Sequence, residues 1–232
     1  MKDMKIIKDL KLDLDKEEIL RYQGYSRNKV KEPNQNILRI TEEEINRGYS
    51  LFKPQGIYSL IKIKGSALEG RINLESGLIF RFAKSIIKQL KGASHLLVGV
   101  VTIGDLLEKK VSELFSQGEF PQALALDAVG TVAVEDFSRK VRKLACQEVI
   151  EQGFKTSRHF SPGYSGWEVS QQEIVFKSIP SDNIGVRLTK GFMMLPQKSL
   201  SWVIGAGKEI IVSSEEENKC QDCQSKYCNY KL

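Results

Sequence analysis

The chain has 232 residues, and hydrophobic residues make up 41% of it, enough to bury one core and to exclude a disordered chain. No apolar run is long enough to span a bilayer and residues 1–5 lack the apolar centre of a leader, so no membrane partner and a cytoplasmic location are expected. The formal charge of +6 is spread out: Lys84, Lys88 and Lys91, and then Arg139, Lys140, Arg142 and Lys143, read as solvated helix faces, so nucleic acid is not an expected partner.

In chain order, residues 12–21 read as a short helix stopped by Gly24 between Tyr22 and Tyr25. A polar stretch follows, and residues 37–46 repeat apolar side chains at helical spacing. Within them Thr41-Glu42-Glu43-Glu44 has the form of a helix start, which predicts a break or restart there. Pro54-Gln55-Gly56 marks a turn, and residues 57–64 then alternate as a strand. Residues 71–74 and 78–80 read as a hairpin around Glu75-Ser76-Gly77, followed by a helix over 83–90.

Residues 96–104 are apolar on both faces, as in a fully buried strand, and residues 105–115 continue as a helix. Gly104, at that junction, is weak evidence of a phosphate site, since the glycine fingerprint of a dinucleotide fold is missing. The longest helix is predicted over 122–152, small and apolar to residue 134 and amphipathic after it. Gly130 inside it permits the close approach of another backbone or a ligand, and Gly153 ends it.

The segment from Arg158 to Trp167 is too rich in turn formers and aromatics for an ordinary helix or strand. Pro162 and Gly163 make a tight turn expected to leave backbone amides free, with Tyr164 and Trp167 beside it. Residues 170–178 fit a helix capped by Ser170 with Glu173 three residues on. Strands are predicted over 185–189 and 200–204, around Met193-Met194-Leu195-Pro196. Gly205-Ala206-Gly207 is taken to end the packed part, and residues 213–219 read as a linker.

The elements predict an α+β fold: a mainly antiparallel sheet packed with long helices, in a single domain over 1–212, with a linker and cysteine-rich tail over 213–232. No paired catalytic carboxylates or nucleophile–base pair stand out. His95 and His159 are the chain's two histidines, and His95, just before a buried strand, reads as structural. Of four cysteines, Cys220, Cys223 and Cys228 crowd the end, a grouping that fits a reducing compartment better than a disulfide framework. Their spacing suits zinc or iron–sulfur thiolates, but a closed site needs a fourth ligand, so metal binding and a redox or unpaired tail both stay open.

Two motifs taken together, Ser161-Pro162-Gly163-Tyr164 and Leu188-Thr189 through Met193-Met194-Leu195-Pro196 to Ser199 and Ser201, resemble the activation domain of cobalamin-dependent methionine synthase in its stand-alone form. The resemblance is loose before Phe80 and close over 123–204. It implies binding of S-adenosylmethionine, with Glu135 of Ala133-Val134-Glu135 facing the ligand's ammonium or sulfonium and Ser161, Pro162, Gly163 and Tyr164 shaping its pocket.

The family arginine that precedes the turn falls on His159 here, with Arg158 one residue earlier, so either one is a candidate for the methionine carboxylate. The family strand Leu-Thr-Glu-Ser reads Leu188-Thr189-Lys190-Gly191 here, and the enzyme-fused domain continues where this chain turns into its cysteine tail. The implied function is accessory: supporting reductive methylation, or reactivation, of the cobalamin of a corrinoid-dependent methyltransferase, methionine synthase first among them. The cobalamin is carried by the partner and the electron comes from a flavodoxin or ferredoxin. The alternative is a module that senses S-adenosylmethionine or docks on a corrinoid protein without methyl transfer; a metal-dependent nucleic-acid binder is a poor third.

Overall fold

The computed structural model describes residues 4–8, 10–25, 32–65, 70–164 and 166–210. In chain order they form β1 (Met4–Lys8), α1 (Lys16–Tyr22), α2 (Gln35–Leu51), β2 (Gln55–Lys62), β3 (Arg71–Asn73), β4 (Ile79–Arg81), α3 (Lys84–Gln89) and β5 (His95–Thr102). There follow α4 (Leu106–Ser116), α5 (Phe120–Glu151), β6 (Lys155–Phe160), α6 (Gln172–Ser178), β7 (Arg187–Leu188), β8 (Met194–Leu195) and β9 (Ser199–Gly207). Five strands make one antiparallel sheet in the order β1-β2-β5-β9-β6, and β3-β4 and β7-β8 are separate hairpins. This is the α+β architecture that the patterning predicts.

The sheet is buried on both faces because its central strands are apolar at most positions. Ile57 lies opposite Val100, and Val98 opposite Val203, on the face covered by β3, β4, α3 and α6. Leu97 lies opposite Ile204, and Gly99 opposite Trp202, on the face covered by α5 with α1 and α4. A Cβ on Gly99 would stand 2.2 Å from the Trp202 ring, so the indole fits only because that position has no side chain. Gly130 does the same for α4: a Cβ there would meet the Leu107 side chain at 2.6 Å. The neighbours it admits are the side chains of Leu107 and Lys198.

Several local expectations are corrected. Helix α2 runs unbroken through Thr41, whose hydroxyl donates to the Ile37 carbonyl at 2.8 Å and so serves the helix instead of starting one. Ser170 caps nothing: it lies in a 3-10 turn, Val169–Gln171, and the helix after it has no side-chain cap. Gly205, Ala206 and Gly207 are buried inside β9, extending the packed part. The basic cluster at 139–143 divides: Lys140 binds Asp136 and Asp13, and Arg139 binds Asp136, whereas Lys84, Lys88 and Lys91 are exposed as expected. Among the described residues no helix is long and apolar enough to cross a membrane.

Candidate functional site

The site is assembled by the return of the chain after α5. Gly153, at φ 83°, turns the backbone, and β6 then runs back along α5 and packs on it. A strand residue advances about 3.3 Å and a helix residue about 1.5 Å, so six strand residues retrace roughly a dozen residues of helix. The end of β6 and the turn after it are thereby brought beside the middle of α5, where Glu135 and Arg142 lie.

Strand β6 carries one extra residue between its pairings Thr156–Ala206 and His159–Ile204, a β-bulge. Ser157 holds it: its hydroxyl accepts from the Gly205 amide at 2.9 Å and donates to the Arg158 carbonyl at 2.7 Å. The bulge decides where the two candidate carboxylate partners go. His159 pairs with Ile204, whose side chain faces α5, and Phe160 pairs with Val203 on the opposite face. The Arg158 guanidinium lies over the Phe160 ring at 5.2 Å, so Arg158 belongs to the face away from α5. Its Nε is buried with no hydrogen-bond partner among the described residues. Arg158 and His159 are therefore adjacent in sequence and divergent in space.

In the turn, Gly163 has φ 92° and its amide donates to the Trp167 carbonyl at 2.8 Å. The Tyr164 amide donates to the Ser161 carbonyl at 3.3 Å, and the Trp167 amide to the Tyr164 carbonyl at 3.0 Å. These three amides, expected to be free for a ligand, are used to close the turn itself. Ser161 is half-buried, Pro162 is buried and Gly163 is exposed. Trp167 is core, with its ring centroid 4.6 Å from that of Phe82. Tyr164 instead projects, 66% exposed.

Along α5 the positions left partly open to this side form a polar stripe: Asp127, Thr131, Glu135, the buried Ser138, and Arg142. At its start Lys198 Nζ reaches Asp127 at 2.8 Å and the Thr131 hydroxyl at 2.8 Å. At its end Arg142 donates to the Ser138 hydroxyl at 2.7 Å. The Tyr164 hydroxyl is pushed above the ordinary phenol range by burial and by the negative charge of Glu135, while the positive charge of Arg142 pulls it down.

His159 lies on the α5 side of the sheet and Arg158 on the other, and the charges of Glu135 and Arg142 on α5 both act on the Tyr164 hydroxyl. Arg142 is read from sequence only as part of a basic cluster. An open groove of about 570 Å³ on the other side of the turn, between Arg81, Phe82, Trp167, Glu168 and Gln171, shares only Tyr164 with these residues. His95 plays the structural part expected of it, packed on Phe154 with its Nδ1 2.9 Å from the Ser94 hydroxyl. Cys220, Cys223 and Cys228 lie outside the described residues, as does the linker before them.

No family model matches the chain, and no curated protein does. Among solved structures, the reactivation domain of MetH, crystallised with AdoHcy bound, matches with a TM-score of 0.67 at 12% identity. The match covers 89% of this chain and 79% of that one. The chain therefore has the fold of the MetH reactivation domain.

Proposed function

We propose that this protein binds S-adenosylmethionine and presents it to the cobalamin domain of a corrinoid-dependent methyltransferase, methionine synthase being the favoured partner. The observation that carries the reading is the likeness, over most of the chain, to a reactivation domain that holds AdoHcy. That the charge of Glu135 acts on the Tyr164 hydroxyl supports it.

When bound, S-adenosylmethionine supplies a methyl cation equivalent to the partner's cobalt, which takes one electron from a flavodoxin or ferredoxin, and AdoHcy is left. The residues of this chain do no covalent chemistry. Glu135 balances the ammonium and sulfonium charges, Tyr164 covers the ligand, and the buried anchors Pro162 and Trp167 keep the turn in place. Holding the donor in one orientation replaces a bimolecular search with a local one, which is the whole catalytic contribution required. The exposed face of Tyr164 suits a ligand that must remain reachable by a second protein.

Isothermal calorimetry tests this directly. S-adenosylmethionine and AdoHcy should each bind once per chain and compete with each other. No heat with either, and no protection against thermal unfolding, would remove the reading. Binding of both without any revival of an oxidised corrinoid enzyme would leave the protein a sensor of S-adenosylmethionine.

A further inference from the structure

The groove on the far side of the turn combines a flat floor with a polar rim. Its volume of about 570 Å³ lies within the range of small-molecule sites. Phe82 and Trp167, both buried and with ring centroids 4.6 Å apart, make an aromatic floor, and both rest on the wholly buried Phe80. The exposed Tyr164 is part of the wall. The Trp167 Nε1–H is buried and has no hydrogen-bond partner among the described residues, so an acceptor that reaches the floor meets a donor left unpaired.

The rim is fixed in place by its own backbone. Gln171 Oε1 accepts from the Arg81 amide at 2.8 Å, which orients the side chain and leaves its NH2 without a partner among the described residues. The Gln171 amide donates to the Glu168 carbonyl at 3.0 Å, so the two residues belong to one tight turn. The exposed Glu168 carboxylate accepts only from the Ser170 hydroxyl, at 3.5 Å, among the described residues. The groove thus offers a donor and an acceptor on one turn beside an aromatic floor. A flat heterocycle with an acceptor nitrogen next to an amino group matches that pair, and adenine presents this pattern. A phosphate matches it poorly, because the charge of Arg81 is offset by that of Glu168.

We propose that this groove holds the adenine ring of the S-adenosyl ligand. The ring lies against Phe82 and Trp167, Glu168 accepts from the 6-amino group, and the Gln171 NH2 donates to the neighbouring ring nitrogen. This inference rests on the binding reading above and adds the part of the site that selects the base.

The test compares AdoHcy with S-inosylhomocysteine, which carries a keto oxygen in place of the 6-amino group. By calorimetry on the full chain, the inosyl compound should bind about tenfold more weakly or worse, because its oxygen opposes the Glu168 carboxylate. Glu168→Gln, at an exposed position and so without a folding cost, should bring the two compounds to within about threefold, since a carboxamide has an N–H for the keto oxygen and an oxygen for the amino group. Fluorescence gives a second readout. The other tryptophan, Trp202, is wholly buried on the opposite face of the sheet, so AdoHcy should change the emission of Trp167, and the change should vanish in Trp167→Phe. Equal affinity of the unaltered protein for the two compounds, a preference unchanged in Glu168→Gln, or saturation with AdoHcy without a change in emission would overturn the assignment and leave the binding reading intact. If the unaltered protein binds no AdoHcy, both fall together.

Discussion

Asp136, next to Glu135 on α5, fastens the segment around Lys11 and Asp13 to that helix, and replacing it gives a calculable loss. It is 4% exposed. Its carboxylate accepts from the Asp13 amide at 2.9 Å, from Lys140 at 2.9 Å and from Arg139. Asp136→Asn keeps the shape and one acceptor oxygen for the Asp13 amide but removes the charge. Lys140 retains Asp13 at 2.7 Å and the Lys11 carbonyl, and Arg139 is largely exposed, so neither is left stranded. One charged hydrogen bond to Lys140, at about 1.5–3 kcal/mol, is then the main loss; the exposed Arg139 adds about 0–1 kcal/mol. Asp136→Ala also orphans the Asp13 amide, which brings the loss to roughly 3–5 kcal/mol. For a chain of this size the asparagine variant should melt roughly 3–16 °C lower by circular dichroism.

The pH dependence gives the argument a second edge. Burial pushes the Asp136 pKa up, but the bonds from Asp13, Lys140 and Arg139 outweigh it and hold the carboxyl below the usual aspartate range. A depressed folded pKa contributes stability that is complete above the unfolded value, about 3.9, and is lost as pH falls through the folded one. The gap between the unaltered protein and Asp136→Asn should therefore be the same at pH 7 and pH 5 and narrow below about pH 4. A gap under 1 kcal/mol in urea titrations at pH 7 (about a third of the expected loss), or one that widens towards acid, would refute the reasoning.

Gly99→Val should lower stability by about 3 kcal/mol or more, because its branches enter the space of the Trp202 ring; unchanged urea midpoints would show that the strand pair does not depend on that contact. Glu135→Gln should weaken S-adenosylmethionine about tenfold, the worth of one charged contact of about 1.4 kcal/mol, with an unchanged melting temperature. An effect on melting and none on binding would place the residue in the framework alone. For the tail, if Cys220, Cys223 and Cys228 bind a metal, elemental analysis of protein purified without oxygen should find zinc or iron near one equivalent, removed when all three are replaced by serine. Absence of metal would leave a redox or docking tail.

What could be read in the sequence was what periodicity and composition control. The strand at 95–102 is apolar at nearly every position and so declared itself buried on both faces, and α5 was recognisable from its run of small residues. Two edge strands were missed for opposite reasons. β1 exposes Met4 and Ile6, so its five residues carry no alternation to detect, and β6 reads Lys-Thr-Ser-Arg-His-Phe with a bulge that breaks the period of two. The second miss mattered most. Adjacent strand residues always point to opposite faces, but plain alternation from Thr156 would put Arg158 on the α5 side, and only the bulge gives that place to His159. Thr41 and Ser170 misled because a hydroxyl beside acidic residues has the same signature whether it caps a helix or bonds back within a turn. Glu135 and Tyr164 stand out by motif, whereas the influence of Arg142 on the Tyr164 hydroxyl has no signature in the sequence.

The central claim is that this protein supports the remethylation of a partner's cobalamin, and one measurement tests it most directly. A methionine synthase without its own reactivation domain is inactivated by oxidation of its cobalt, and this protein is then added with S-adenosylmethionine and reduced flavodoxin. Methionine formation should return only when all three are present, with one equivalent of AdoHcy released per cobalt restored, and Tyr164→Ala should slow the return. Recovery that is independent of this protein, or none with any corrinoid methyltransferase and reductant offered, would contradict the account.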